Sequence, residues 1–359
     1  MNTTMESIRA ELLKLSEGHS CSHTYRRALL MRLRRAVPFD AACCTTVDPD
    51  TLLSTGSVTD EEVELIHDRL FEYDYIRPDY IPYHQLVMSG DSTATLSRAT
   101  EGRLTRSARY RHVLSPAGFG DELRAALMFK GSCWGYLTLF RRCERPLFTE
   151  EERLFIASLI PAIALRLRRS TFAIPAETKA EPEMEPGILV LDKRLGTFSA
   201  NETAHRWLSR LREWEGIDDA MLPRPVRTAC FRALSPLSAA SPPALSPAKS
   251  CVHLPGYPYL TIRASRLEGP EDGPRLAVSF EPTGPADTLR LMAEAYELSD
   301  REKQILAALI RGLSTKELAH ALHISFYTVQ DHIKSIFRKT GVTSRGELIW
   351  QLFSRFGVG

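Results

Sequence analysis

The chain has 359 residues, 43% hydrophobic and 25% charged, with a formal net charge of +2, the composition of an ordinary globular protein long enough for two or three domains. No apolar run reaches the ~18 residues that a membrane-spanning helix needs, and the N-terminus lacks a charged-then-apolar leader, so a cytoplasmic protein without a membrane partner is expected. The seven cysteines (21, 43, 44, 133, 143, 230 and 251) are odd in number and contain no C-x-x-C pair; this points away from a disulfide framework or a zinc site and towards buried small hydrophobes, with a redox role as the alternative.

Residues 4–36 have helical texture, with Ile8, Leu12, Leu13 and Leu15 and then Ala28 to Leu33 among arginines, closed by Pro38. FDAACCTTVD (39–48) is small and β-branched and predicts a strand, with turn chemistry in the following DPDT. A helix is expected over 59–72. LRAALMF (123–129) and CWGYLTLF (133–140), joined by Lys130, Gly131 and Ser132, predict a hairpin and hence an antiparallel sheet. Thr149 and Glu152 form a capping box that opens a long helix. Its stripe of Phe155, Ile156, Leu159, Ile160, Ile163 and Leu167 is interrupted at Pro161 and ends in the basic RLRR. The stripe is wider than one sheet face requires, and with the basic end it predicts a part in a homodimer.

FEYDYIRPDYIPYH (71–84) concentrates Phe71, Tyr73, Tyr75, Tyr80 and Tyr83. Aromatic bodies with polar tips suit the walls of a small-molecule pocket, and they equally suit core filling beneath a loop. His67 and His84 lack partners at ligand spacing, so no metal is expected. The segments FDAACCTTVDPDTLL, GFGDELRAAL, CWGYLTLFR and LFTEEE resemble a GAF-like domain. The resemblance implies an α+β sensor domain over 1–170 and an effector of unspecified identity. None of the four tryptophans lies in the aromatic stretch, which departs from the tryptophan-rich stretch of autoinducer-binding domains and leaves an acyl-lactone effector unsupported.

PAETKAEPEMEP (175–186) predicts a stiff linker, placed over 171–186. GILVLDKRLGTFSANETAHRWL reads as an apolar strand, a turn at Asp192 to Gly196, and a helix packing Ala204, Trp207, Leu208 and Leu211 inward. LPRPVRTACFRAL is a further helix candidate, and the proline- and serine-rich 234–250 is a loop. CVHLPGYPYLTIRASRLEG and PRLAVSFEP read as antiparallel strands turning between Gly269 and Gly273. This order resembles a degenerate PAS-like α+β domain over 187–283, without an obvious cofactor residue; no cofactor is expected, and a spacer or dimerisation role stands beside a sensing one. EPTGPADTLRLMAEAYE joins it to the C-terminus through a linker (284–297) whose second half can be helical.

The last sixty residues predict four helices. Ser299 with Glu302, and Ser314 with Glu317, are successive capping boxes. Gly312 and Gly341 are end signals, and Ser325 caps the third helix. In that helix Val329, Ile333, Ile336 and Phe337 form the apolar stripe. Tyr327, Gln330, Asp331, Lys334 and Arg338, at i, i+3, i+4, i+7 and i+11, form a polar strip about as long as a major-groove contact. Nine Lys or Arg against five Asp or Glu from residue 299 onward give this end +4, whereas the whole chain carries +2.

LSDREKQIL, GLSTKELAHAL, HISFYTV and H-x-x-x-I-F-R-K-T-G-V resemble, in order and spacing, the helix-turn-helix of LuxR-type regulators over 298–353. The resemblance implies an all-α DNA-binding domain over 298–359. It adds Thr315, Lys316, Ser325, Phe326, Thr328 and Lys339 to the residues expected at duplex DNA. Gln330 departs from the family's usual lysine, replacing a phosphate cation by an amide able to read adenine. A helical packing domain with a solvated charged face is the competing reading. No G-x-x-x-x-G-K-[ST], H-E-x-x-H or G-x-S-x-G motif is present, and no receiver pattern, so the expectation is not an enzyme but a transcriptional regulator. A scaffold acting through protein partners is the other class of function.

Overall fold

The computed structural model describes residues 3–18, 21–171, 185–235, 247–254, 257, 259–268 and 275–356. The chain divides into two compact units, one built from Met1–Thr171, Glu183–Val252 and Ile262–Glu281, the other from Phe172–Pro182, His253–Thr261 and Pro282–Gly359. Nearly all of the expected linker over 171–186, most of the loop over 234–250, and the turn between Gly269 and Gly273 lie outside the described residues.

The helical texture of 4–36 resolves into two helices, α1 (Thr3–Glu17) and α2 (Ser22–Ala36). Strand β1 (Ala41–Val47) pairs antiparallel with β2 (Ser54–Thr59), Cys43 opposite Thr59 and Thr45 opposite Ser57. β2 was not expected, and it takes Thr59 from the helix predicted over 59–72. What remains of that helix is α3 (Glu61–Glu64), α4 (His67–Phe71) and a π-helical turn over Glu72–Ile76. Then come α5 (Tyr83–Met88), the short unpredicted β3 (Thr93–Thr95) and α6 (Leu96–Ala99).

The predicted hairpin is β4 (Phe119–Phe129) and β5 (Ser132–Arg142). Its two-residue loop, Lys130 and Gly131, has φ of +49° and +83°, the paired left-handed geometry that matches strand twist. The sheet order is β2-β1-β5-β4-β3, every pairing antiparallel. Helix α7 (Glu150–Thr171) lies across β4 and β5. Gly135 permits the close approach, since a Cβ there would stand 2.7 Å from Leu167 Cδ1.

The width of the α7 stripe is consumed within its own chain: Leu159 and Ile163 are each 1% exposed. Two of the three arginines at the basic end do not project either, because Arg166 lies over the Tyr25 ring at 5.3 Å and Arg168 over Trp134 at 5.7 Å, and only Arg169 is exposed. The sequence-based case for this stripe as a dimer surface therefore fails.

The second region contains β6 (Gly187–Leu191), β7 (Thr197–Ala200), α8 (Glu202–Glu215), α9 (Arg224–Leu234), β8 (Lys249–Val252), β9 (Leu260–Leu267) and β10 (Arg275–Pro282), in sheet order β7-β6-β10-β9-β8. β7 escaped the sequence reading because it is only four residues long and buries none of them, exposing Phe198. Asp192 makes the turn before it, accepting from the N–H groups of Arg194 at 2.7 Å and Gly196 at 2.8 Å. α8 buries Ala204, Trp207, Leu208 and Leu211 as expected. Both α8 and α9 pack against β2, and α9 also meets α4 and the π-helical turn. A Cβ on Gly56 of β2 would collide with the Trp214 ring.

The other unit carries α10 (Pro285–Ala295), α11 (Asp300–Ile310), α12 (Thr315–Ala321), α13 (Phe326–Thr340) and α14 (Arg345–Phe356). Both predicted capping boxes form, and Ser325 caps α13. Gly312 and Gly341 adopt φ of +95° and +72°. α13 packs on α11 and α12 around Ile305, Leu306, Leu309, Leu318, Val329 and Ile336, all buried, while α10 packs on α14.

Candidate functional site

The caps of α13 expose its first turn. Ser325 Oγ accepts from Thr328 N at 3.1 Å, which satisfies a helix-end donor and fixes where the helix begins. With Val329 and Ile336 inward, the opposite face is solvent-exposed at Tyr327, Gln330, Asp331, Lys334 and Arg338. Tyr327 is 76% exposed, and Phe326, 38% exposed, meets it edge-on at 6.0 Å. Lys334 Nζ stands 3.9 Å from Asp331, both side chains 77% exposed, a pairing too loose and wet to hold the lysine from another anion. Ser325, Thr328 and Lys316 are exposed, and Thr315 is half-buried at the start of α12.

Lys339 is drawn off this strip. Its Nζ donates to Glu302 Oε2 at 2.6 Å and to Glu297 O at 3.0 Å, and Glu302 is buried. Burial pushes the Glu302 carboxyl up, but Lys339 and the cap hydrogen bonds outweigh it and hold the group down at about 2. Lys339 thus joins the C-terminal end of α13 to the start of α11. Other cations of this end are likewise engaged internally: Lys303 with Glu294 at 2.5 Å, Arg301 on Leu322 O at 2.7 Å and Arg345 on Leu313 O at 3.0 Å. Among the described residues of this end, the exposed cations outside these internal pairings are Arg311, Lys316, Lys334 and Arg338.

The first unit encloses a cavity of about 560 Å³, within the usual range for a small organic ligand. Of the predicted aromatic residues, Phe71, Tyr75 and Tyr83 line it. Tyr73 and Tyr80 do not; they pack instead with Leu70, Leu96, Val113 and Phe140 in the core. Phe71 and Tyr75, four residues apart across the start of the π-helical turn, share a face with centroids 5.7 Å apart, so Tyr73 lies on the other side. Tyr83 stacks on Tyr136 at 3.8 Å. Burial raises the pKa of Tyr75, Tyr83 and Tyr136, which keeps all three phenols protonated.

Sequence reading missed the cavity's arginines. Arg124 lies over Tyr83 at 4.8 Å, Arg224 over Phe71 at 5.7 Å and Arg232 over Tyr75 at 5.2 Å. Arg124 pairs with Asp74 at 2.6 Å and Glu122 at 3.3 Å. Arg224, 1% exposed, pairs with Glu64, contacts His67 Nε2 and donates to Thr59 Oγ1 at 3.0 Å. Arg227 shares Glu64 and holds Asp68 at 2.9 Å. Burial, then the charges of Arg224, Arg227 and Arg124, push the His67 pKa well down, so the ring is neutral. A signal existed: Arg124 interrupts an apolar strand, and Arg224 and Arg232 are eight apart, one helix face, in LPRPVRTACFRAL.

The exposed polar strip on a capped helix, packed across a second helix, defines the C-terminal unit as a helix-turn-helix domain. Residues 296–351 match the family described as bacterial regulatory proteins, luxR family, so the chain carries a LuxR-family helix-turn-helix domain at its C-terminus. The response regulator protein VraR of Staphylococcus aureus, and that of Staphylococcus epidermidis, are each 36% identical over 66 residues, 18% of this chain and 32% of theirs. The match thus spans about a third of those relatives. Among solved structures, Escherichia coli SdiA aligns over 98% of both chains at 12% identity with a TM-score of 0.34. The A. aeolicus nlh2 GAF domain aligns over 46% of this chain and 96% of its own at 12% identity, with a TM-score of 0.27. No described helix is long and apolar enough to cross a membrane.

Proposed function

We propose that this protein is a cytoplasmic DNA-binding transcriptional regulator, in which a GAF-like and PAS-like N-terminal unit takes a small effector and modulates the C-terminal helix-turn-helix. The observation that carries the reading is the α13 face. Five polar residues stand exposed on a helix whose other face is core, in a segment that matches the luxR family. Such a helix fits the major groove with its N-terminal residues at base edges, and a homodimer would engage two half-sites about one helical turn apart.

The test is genome-wide capture of bound DNA by the purified full-length protein, followed by titration of one captured site at several salt concentrations. Affinity is expected to fall steeply with salt, because each neutralised phosphate releases counterions. A fragment from Pro282 onward retains α10, which packs on α14, and is expected to bind the same site weakly without effector. No enriched sequence, together with affinity indifferent to salt, would leave action through protein partners as the surviving class.

A further inference from the structure

We infer that the cavity of the N-terminal unit takes an organic monoanion, one carboxylate on an apolar body, with Arg232 as the residue that reads the charge. The inference rests on the effector reading above and narrows it to a chemical class.

The cavity's arginines differ in whether an acid already answers them. Three line the cavity, against two aspartates, Asp50 and Asp74. Arg124 is held by Asp74 and Glu122, and Arg224 by Glu64. Arg232 forms no ion pair among the described residues; its guanidinium rests on the Tyr75 ring, and its buried Nε has no hydrogen-bond partner. A guanidinium partly withdrawn from water, with donors unused, favours an incoming carboxylate, which it can meet with two parallel hydrogen bonds.

The same inventory limits the ligand to one charge. His67 is buried and neutral, and burial with the Arg232 charge lowers the pKa of His84, so neither imidazole supplies a second cation at neutral pH. A dianion such as a phosphate monoester would leave one charge unanswered in a mostly apolar enclosure. The apolar walls are Leu70, Ile76, Val87 and Met88 with the Phe71 and Tyr136 rings, which suit an apolar body.

Arg232 lies on α9, whereas those walls come from residues 70–136. A ligand that used both would tie α9 to the first sheet, so recognition of the anion and fixation of the second region are one event.

The test is calorimetric titration of the full-length protein, without DNA, by 1-naphthaleneacetate, its neutral amide and 1-naphthyl phosphate. The acetate is expected to bind at least tenfold tighter than either. Arg232→Gln should abolish its advantage over the amide at unchanged melting temperature, and Arg232→Lys should retain part of it. Equal binding of acetate and amide, a preference that survives Arg232→Gln, phosphate binding as tight as acetate, or no binding of acetate would each overturn the assignment. The amide binding alone would leave an effector cavity of another class, and the regulator reading is decided separately by the DNA titration, which uses no probe.

Discussion

Neutralising Glu64 tests whether buried charge holds α9 to the first region. Glu64 is 15% exposed at its side chain and accepts from both Arg224 and Arg227, which are 1% and 5% exposed. In Glu64→Gln, Arg227 keeps Asp68 at 2.9 Å, but Arg224 keeps no acid nearer than the buried Glu215, its other contacts being Thr59 Oγ1, Cys43 Sγ at 3.7 Å, the neutral His67 and the Phe71 ring. Removing one partner of a buried pair costs about 3–5 kcal/mol, whereas an exposed pair is worth about 0–1. The burial of Arg224 selects the first range, and the remaining contacts bring the expected loss to its lower end, about 3 kcal/mol.

The pH dependence follows from Glu64's lowered pKa: burial alone would raise it, but Arg224 and Arg227 prevail. A carboxyl depressed on folding stabilises fully above its unfolded pKa of about 4.3 and loses that contribution as pH falls through the folded value. Urea unfolding followed by fluorescence of Trp134, Trp207 and Trp214 should therefore show the wild-type advantage at pH 7 and its narrowing below about pH 4. Arg224→Met should restore part of the stability of Glu64→Gln, because a packed apolar side chain carries no stranded charge. A loss under about 1 kcal/mol at pH 7, or a gap independent of pH, would refute the reasoning.

Lys334→Ala should weaken binding to all duplexes alike and reduce the salt slope by about one unit, as for loss of one phosphate contact, and an unchanged slope would remove Lys334 from the backbone contacts. Gln330→Ala should change preference at one base pair by roughly 1–3 kcal/mol, which selection of sites by wild type and variant reads directly. Lys339→Met should leave the salt slope unchanged while lowering the thermal stability of the fragment from Pro282 onward, since it breaks the pair with buried Glu302; a reduced slope at full stability would return Lys339 to the DNA face. Leu159→Glu should unfold the N-terminal unit rather than dissociate a dimer, costing at least the 2–5 kcal/mol of a core truncation, and a folded monomeric variant in sedimentation would contradict the burial.

The helix-turn-helix was legible because its signals are local. Ser299 with Glu302, Ser314 with Glu317, Ser325, Gly312 and Gly341 each act within one turn of chain, so spacing alone set the helix ends and the phase of the Tyr327 to Arg338 strip. The hairpin at Lys130 and Gly131 was legible for the same reason. Position in the chain could not show that Lys339 turns to Glu302, since its partner is 37 residues away. Nor could it separate Phe71, Tyr75 and Tyr83, which face the cavity, from Tyr73 and Tyr80 in the core, because the segment is packed on two faces and runs irregular over 77–82, where helical spacing no longer sets the phase. The cavity's charge was beyond sequence altogether: Arg224 meets Glu64 across 160 residues, and whether an arginine is answered or left to meet a ligand depends on which acids the folded chain brings beside it. Local hydrogen-bonding patterns are written along the chain, but the pairing of buried charges exists only once distant segments have packed and excluded the water that would otherwise answer them.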